Sequence, residues 1–215
     1  MPRAALALLP GLLVCGAAAA QSPDEVPLED LLEIVRLPGK LLAIDASGGG
    51  QTRVDLELGE QVRWLGTRGE IGIALTDRRL LAVARRSAAW QEDRYWRNEA
   101  PPSEALLGDR VALVQTSQRV IGFTGAGHLI EYRVGPQEQV VATRIGANAA
   151  VFLTNRTAQG LSAQLGGFFE TAIHARERLE SVSPRTNLVT VRTDRRLLIF
   201  RSPTGTWEER KLELR

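Results

Sequence analysis

The chain has 215 residues, of which 44% are apolar, 24% charged and 5% aromatic, a globular balance that excludes an intrinsically disordered chain. One Cys and two His exclude a disulfide framework and a zinc site built from cysteines or clustered histidines, so no metal or other cofactor is expected. The 27 basic and 25 acidic residues are too evenly matched for broad nucleic-acid binding, and no internal run reaches the roughly 18 apolar residues of a membrane span.

In chain order, residues 1–20 read as a secretory signal peptide. Arg3 gives the positive start, Ala4 to Leu13 the apolar core, and Ala18-Ala19-Ala20 a small-residue cleavage site before Gln21. Cys15 raises the question of a lipid anchor, but Val14 stands where lipoprotein signals carry a small residue, so cleavage after Ala20 is favoured. The expected mature chain has no cysteine, which suits an oxidising compartment. It is therefore placed in the periplasm or secreted. Residues 21–33 form an acidic linker; Pro23 and Pro27 make it a poor central strand.

From residue 34 to 215 the chain repeats itself about every 39 residues. Thr76-Asp77-Arg78-Arg79-Leu80-Leu81 recurs as Thr193-Asp194-Arg195-Arg196-Leu197-Leu198, with further copies starting at Thr116 and Thr154 and a first unit around Leu37-Pro38-Gly39-Lys40. Each unit has an apolar run before the threonine and a polar turn after it. A second apolar run follows, with a small residue in four units (Ala43, Ala82, Gly122, Gly160) and Ile199 in the last. An aromatic or aliphatic residue near an acid closes each unit: Trp90 with Glu92, Ile130 with Glu131, Phe168 with Glu170, Trp207 with Glu208. Another short strand candidate precedes each first run. Runs of four to seven β-formers with turns every 8 to 12 residues predict strands, and no long 3.6-residue stripe predicts a helix.

Four short strands per 39-residue unit resembles the blade of a β-propeller repeat protein. The Thr-Asp-Arg-Arg turn and the later Trp-x-Glu strand carry the resemblance, with neither the Gly-His and Trp-Asp pairs of WD40 blades nor the double glycines of kelch blades. It implies an all-β, five-bladed propeller; an open β-solenoid or a two-sheet sandwich is the competing fold. The first blade is the weak point of ring closure: its innermost strand should lie near Pro23 to Asp30, a poor central strand, so that stretch is a tether from the membrane side or blade one lacks a strand.

The resemblance also implies that equivalent turns share one face. Lys40, Arg79, Arg119 and Arg196 would then project together, with Arg78, Arg156 and Arg195 one place earlier, as a guanidinium rim suited to phosphate or carboxylate. The same residues also fit plain turn chemistry, with Asp bonding the backbone and Arg solvated. Trp90, Phe168 and Trp207 sit at one repeated position and read as packing, while Trp64, Trp96, Tyr95 and Tyr132 lack repeat partners and are the better candidates for a sugar-binding role. Glu92, Glu131, Glu170 and Glu208 recur by repeat, as scaffold residues do, whereas a catalytic carboxylate pair breaks symmetry. No Gly-x-Ser-x-Gly or phosphate-binding glycine loop occurs, so no enzyme is expected. The resulting expectation is an exported non-catalytic scaffold binding a protein partner or an anionic envelope component. A lectin-like carbohydrate-binding module is the alternative.

Overall fold

Short alternating runs of Val, Ile, Leu and Thr, each stopped by Gly, Asp or Asn, leave the backbone no option but hairpins, and hairpins are what the chain makes. The computed structural model describes residues 31–212; the expected signal peptide and residues 21–30 lie outside them. Nineteen strands form five antiparallel sheets in chain order. Blade one holds β1 (Leu32–Leu37), β2 (Lys40–Asp45) and β3 (Gln51–Asp55). Blade two holds β4 (Val62–Arg68), β5 (Ile71–Thr76), β6 (Arg79–Ala84) and β7 (Trp90–Arg94). Blade three holds β8 (Leu106–Leu107), β9 (Val111–Gln115), β10 (Arg119–Thr124) and β11 (Leu129–Arg133). Blade four holds β12 (Val140–Ile145), β13 (Ala149–Thr154), β14 (Thr157–Ser162) and β15 (Gly167–Ala172). Blade five holds β16 (Leu179–Pro184), β17 (Leu188–Thr193), β18 (Arg196–Arg201) and β19 (Thr206–Lys211). The chain is a five-bladed β-propeller, and the described residues contain no helix. β1 opens at Leu32, two residues inside the stretch read as linker.

A sheet with one apolar face can bury it only against another sheet. Blades two, three and four have neighbours on both sides, and β5, β6, β10 and β13 are buried at every position. Four apolar clusters mark the joins. Ile34 and Leu41 meet Ala74 and Leu81 between blades one and two, and Ile73 and Ala82 meet Ala112 and Phe123 between two and three. Leu113 and Val120 meet Phe152 and Leu161 between three and four, and Val151 and Ala158 meet Val191 and Phe200 between four and five.

Five blades in a sealed ring would have five joins. Among the described residues no cluster spans blades five and one. Instead β1, β2, β17 and β18 alternate buried with half-exposed or exposed residues, as sheets with one covered face do. The uncovered face of blade one carries Val35, Leu42 and Ile44; that of blade five carries Leu188, Leu197 and Ile199, all half-buried.

The small residues of the repeat belong to the same logic. A Cβ on Gly122 would lie 2.9 Å from Phe168 of the next blade, and one on Gly160 would lie 2.4 Å from Phe200. Blade five has no described blade after it, and there the position is Ile199.

Candidate functional site

The repeated turn between the second and third strands of a blade is built around its threonine. Thr76 Oγ1 accepts the Arg78 and Arg79 N–H groups and donates to the Arg79 carbonyl. Thr116 and Thr193 accept the corresponding two N–H groups in their blades, and their hydroxyls donate to Glu99 and Glu177. Asp77 Oδ1 accepts the N–H of Gln61 at 2.9 Å and Asp194 Oδ1 that of Arg178 at 2.9 Å, the backbone-bonding role that turn Asp residues take.

The second arginine of the turn folds inward. Arg79 is 5% exposed, Arg119 1% and Arg196 5%. Each is gripped by a glutamate from the turn that enters its own blade: Arg79 Nε donates to Glu60 Oε1 at 2.9 Å, Arg119 Nε to Glu99 Oε1 at 2.9 Å and Arg196 Nε to Glu177 Oε1 at 2.8 Å. A fourth-strand carboxylate takes another arm: Glu92 for Arg79, Glu131 for Arg119 at 2.7 Å and Glu209 for Arg196 at 2.7 Å. A last-strand carbonyl of the preceding blade takes a third, from Asp55, Arg94 and Ala172 in turn. One buried guanidinium thus ties two blades together at three of the four joins, one to two, two to three and four to five.

These groups hold one another ionised. Burial pushes the Glu177 carboxyl up, but Arg196, the Thr193 hydroxyl and the His174 N–H outweigh it and hold it down at about 2. Glu60 and Glu99 are lowered by the same opposition of burial to arginine, and Arg79 and Arg196 are raised by their glutamates. Blade four replaces the arginine with Thr157. There Glu138 keeps the N–H three residues earlier, that of Gly135 at 3.1 Å, and accepts the Tyr132 hydroxyl at 2.9 Å in place of the arginine.

The expected arginine rim is therefore corrected. Arg79, Arg119 and Arg196 do not project; their charge is spent on buried carboxylates, because only an ion pair can bring a guanidinium into this interior. Arg78 and Arg156 are exposed but bend back to the preceding turn, Arg78 to Glu57 at 3.0 Å and the Leu58 carbonyl at 3.1 Å, Arg156 to Gln137 at 3.1 Å. Lys40 lies half-buried at the start of β2 on the uncovered face of blade one. Arg195 is exposed, with no ion pair among the described residues. The acid equivalent to Glu92 and Glu131 is Glu209; Glu208 lies on the other face of β19 with Arg201 and Arg210.

The sequence reading missed the glutamates at 60, 99, 138 and 177. Their signal is plain once sought: an unbroken 39-residue period, in the loops between blades.

The aromatic residues are occupied. Trp207 Nε1 donates to the Phe169 carbonyl at 2.8 Å and Trp90 Nε1 to the Thr52 carbonyl at 3.4 Å, each joining its last strand to that of the preceding blade. Trp64 packs on the apolar cluster between blades two and three. The Trp96 ring has Arg119 Cζ at 4.7 Å and Arg133 Cζ at 5.0 Å, and Tyr132 lies edge-on to Phe152 at 5.0 Å.

No family model matches the chain and no curated protein is significantly similar to it. Among solved structures it is similar to HIRA residues 644–1017 (9% identity, 85% of this chain and 56% of that one, TM-score 0.40). It is also similar to Prp20p of Saccharomyces cerevisiae (8%, 79% and 55%, 0.41) and AztD of Citrobacter koseri (13%, 85% and 59%, 0.39). The chain spans a little over half the length of these proteins, and none is close enough to lend it a ligand or a role.

Proposed function

We propose that the chain is an exported, non-catalytic scaffold that binds a protein partner by taking an extended segment of it alongside β1. The supporting observation is an open strand edge. In blades two to five the second strand has a first strand on its flank; β1, their counterpart, has β2 on one side and, among the described residues, nothing on the other.

The antiparallel ladder alternates. Leu37 pairs with Lys40 across the β1–β2 turn, so Glu33, Val35 and Leu37 face β2 with their N–H and C=O groups. Leu32, Ile34 and Arg36 turn theirs outward. Unpaired backbone groups on a strand edge are a template for an added strand. Export rests on the leader read in residues 1–20.

The chain's own residues 23–29 are the competing occupant. Moving the second blade's register (Gly66 opposite Ile73) back by 39 residues sets Pro27 opposite Ile34, where a hydrogen-bonding N–H is needed and proline has none. The test is amide exchange on purified residues 21–215. The Leu32, Ile34 and Arg36 amides exchange fast in the free chain, and a partner recovered from the envelope slows them. Arg36→Pro removes one outward donor on an exposed residue, and it abolishes that recovery at unchanged melting temperature. Slow exchange in the free chain, or recovery indifferent to Arg36→Pro, overturns the reading.

A further inference from the structure

We propose a second, independent site: the turn face of blade five binds a phosphate group. Repetition is the mark of a scaffold, so a binding site is to be sought where the repeat is broken, and this turn breaks it in charge.

The break is visible position by position. In blade two the cluster around the buried arginine sets three cations (Arg78, Arg79, Arg94) against four carboxylates (Glu57, Glu60, Asp77, Glu92). The same positions are balanced in blade three and net acidic in blade four. In blade five they set five cations (Arg176, Arg178, Arg195, Arg196, Lys211) against three carboxylates (Glu177, Asp194, Glu209). The surplus is not absorbed. Arg196 is held by Glu177 and Glu209, and the Asp194 carboxylate accepts the Arg178 backbone N–H. Arg176, Arg178, Arg195 and Lys211 are exposed, with no ion pair among the described residues.

The reason lies in the preceding turn. In blades two, three and four the residue at the place of Arg195 is tied back: Arg78 to Glu57 and Leu58, Gln118 to the Asn98 carbonyl at 3.1 Å, Arg156 to Gln137. In blade five that turn offers His174 where Glu57 stands and Arg176 where Gln137 stands. Neither replacement offers a side-chain oxygen to a guanidinium, and the Arg195 side chain makes no hydrogen bond or ion pair among the described residues. His174, Arg195, Lys211 and Leu212 line a depression of about 250 Å³ together with the paired Arg196 and Glu209. The exposed Arg195 guanidinium and the Lys211 ammonium border the same depression, and a fork that can give two N–H groups beside an ammonium suits a multiply charged tetrahedral oxyanion.

The phosphate could belong to a lipid headgroup or be free, and two probes separate the sources. Residues 21–215 are titrated with inorganic phosphate by NMR, and sedimented with phosphatidylcholine vesicles with and without phosphatidylglycerol. Shifts confined to the Arg195 and Lys211 region, or phosphatidylglycerol-dependent sedimentation, support the site; the arm that responds names the source. The double variant Arg195→Gln/Lys211→Gln weakens the response about tenfold or more at unchanged melting temperature. Arg78→Gln/Arg94→Gln, the same positions in blade two, leaves it intact. No response to either probe overturns the proposal. An equal loss in both double variants does so as well, since it marks diffuse attraction to the whole surface.

Discussion

At the scale of single residues, a buried arginine is held in place only by the acids that neutralise it. Removing one partner of such a pair strands the other charge in a medium that cannot solvate it, at a cost of about 3–5 kcal/mol. Arg196→Ala is therefore expected to lower unfolding stability by that amount at neutral pH, measured by urea titration, whereas Arg195→Ala one residue earlier stays within about 0.5 kcal/mol. The pH dependence carries its own sign. The Glu177 carboxyl sits at about 2 when folded and near 4.3 when unfolded. The unfolded chain thus takes up protons first as acid is added. The stability this group supplies is complete above about pH 5 and drains away as pH falls towards 2. Arg196→Ala removes the cause of the depression and flattens that limb of the curve; an unchanged acid slope would assign it to other carboxylates. An arginine after Asp in a turn reads as solvated, and nothing in Thr-Asp-Arg-Arg itself says that one guanidinium turns out and the next turns in. The information lies 19 or 20 residues upstream, in glutamates that local reading files as loop.

Between residue and molecule stands the blade, and its strands were the most legible part of the chain. Alternating apolar runs and a turn threonine are local signals, and each placed its hairpin. The role of the small residue in the third strand was not local. It was visible as a repeat, with Ile199 as the exception, but its reason is the next blade: Gly160 exists to admit the Phe200 ring. Gly160→Ala is expected to cost about 1–3 kcal/mol by overpacking, because a Cβ there meets three atoms of that ring at 2.4–2.6 Å. Ile199→Ala, on the face that no described blade covers, is expected to cost less than about 1 kcal/mol. Urea midpoints of the two variants decide it; equal losses would mean that Ile199 is packed as tightly as its counterparts, and the blade-five face covered.

For the molecule as a whole, the count that matters is of joins, not blades. The 39-residue period foretold five blades; among the described residues no apolar cluster joins blades five and one, and the doubtful stretch, Pro23 to Asp30, lies outside those residues. Whether a ring seals is decided by two faces nearly the full chain apart, and no repeat signal reports on that. The consequence is a gradient of stability. In a stack of repeats each blade draws its stability from its own sheet and from its neighbours. Among the described residues, blades two, three and four have two neighbours each, while one and five have one. Native-state amide exchange should therefore find β9, β10, β13 and β14 protected up to the global unfolding free energy. β1, β2, β17 and β18 should exchange by smaller openings that leave the centre folded. A sealed propeller has no ends, so every blade would open at the same free energy, and a flat protection profile would show that blades one and five meet. The same profile bears on binding. A strand laid along β1 gives blade one a pairing it lacks among the described residues, so a partner that binds there should raise the protection of blade one first and leave that of blade five unchanged.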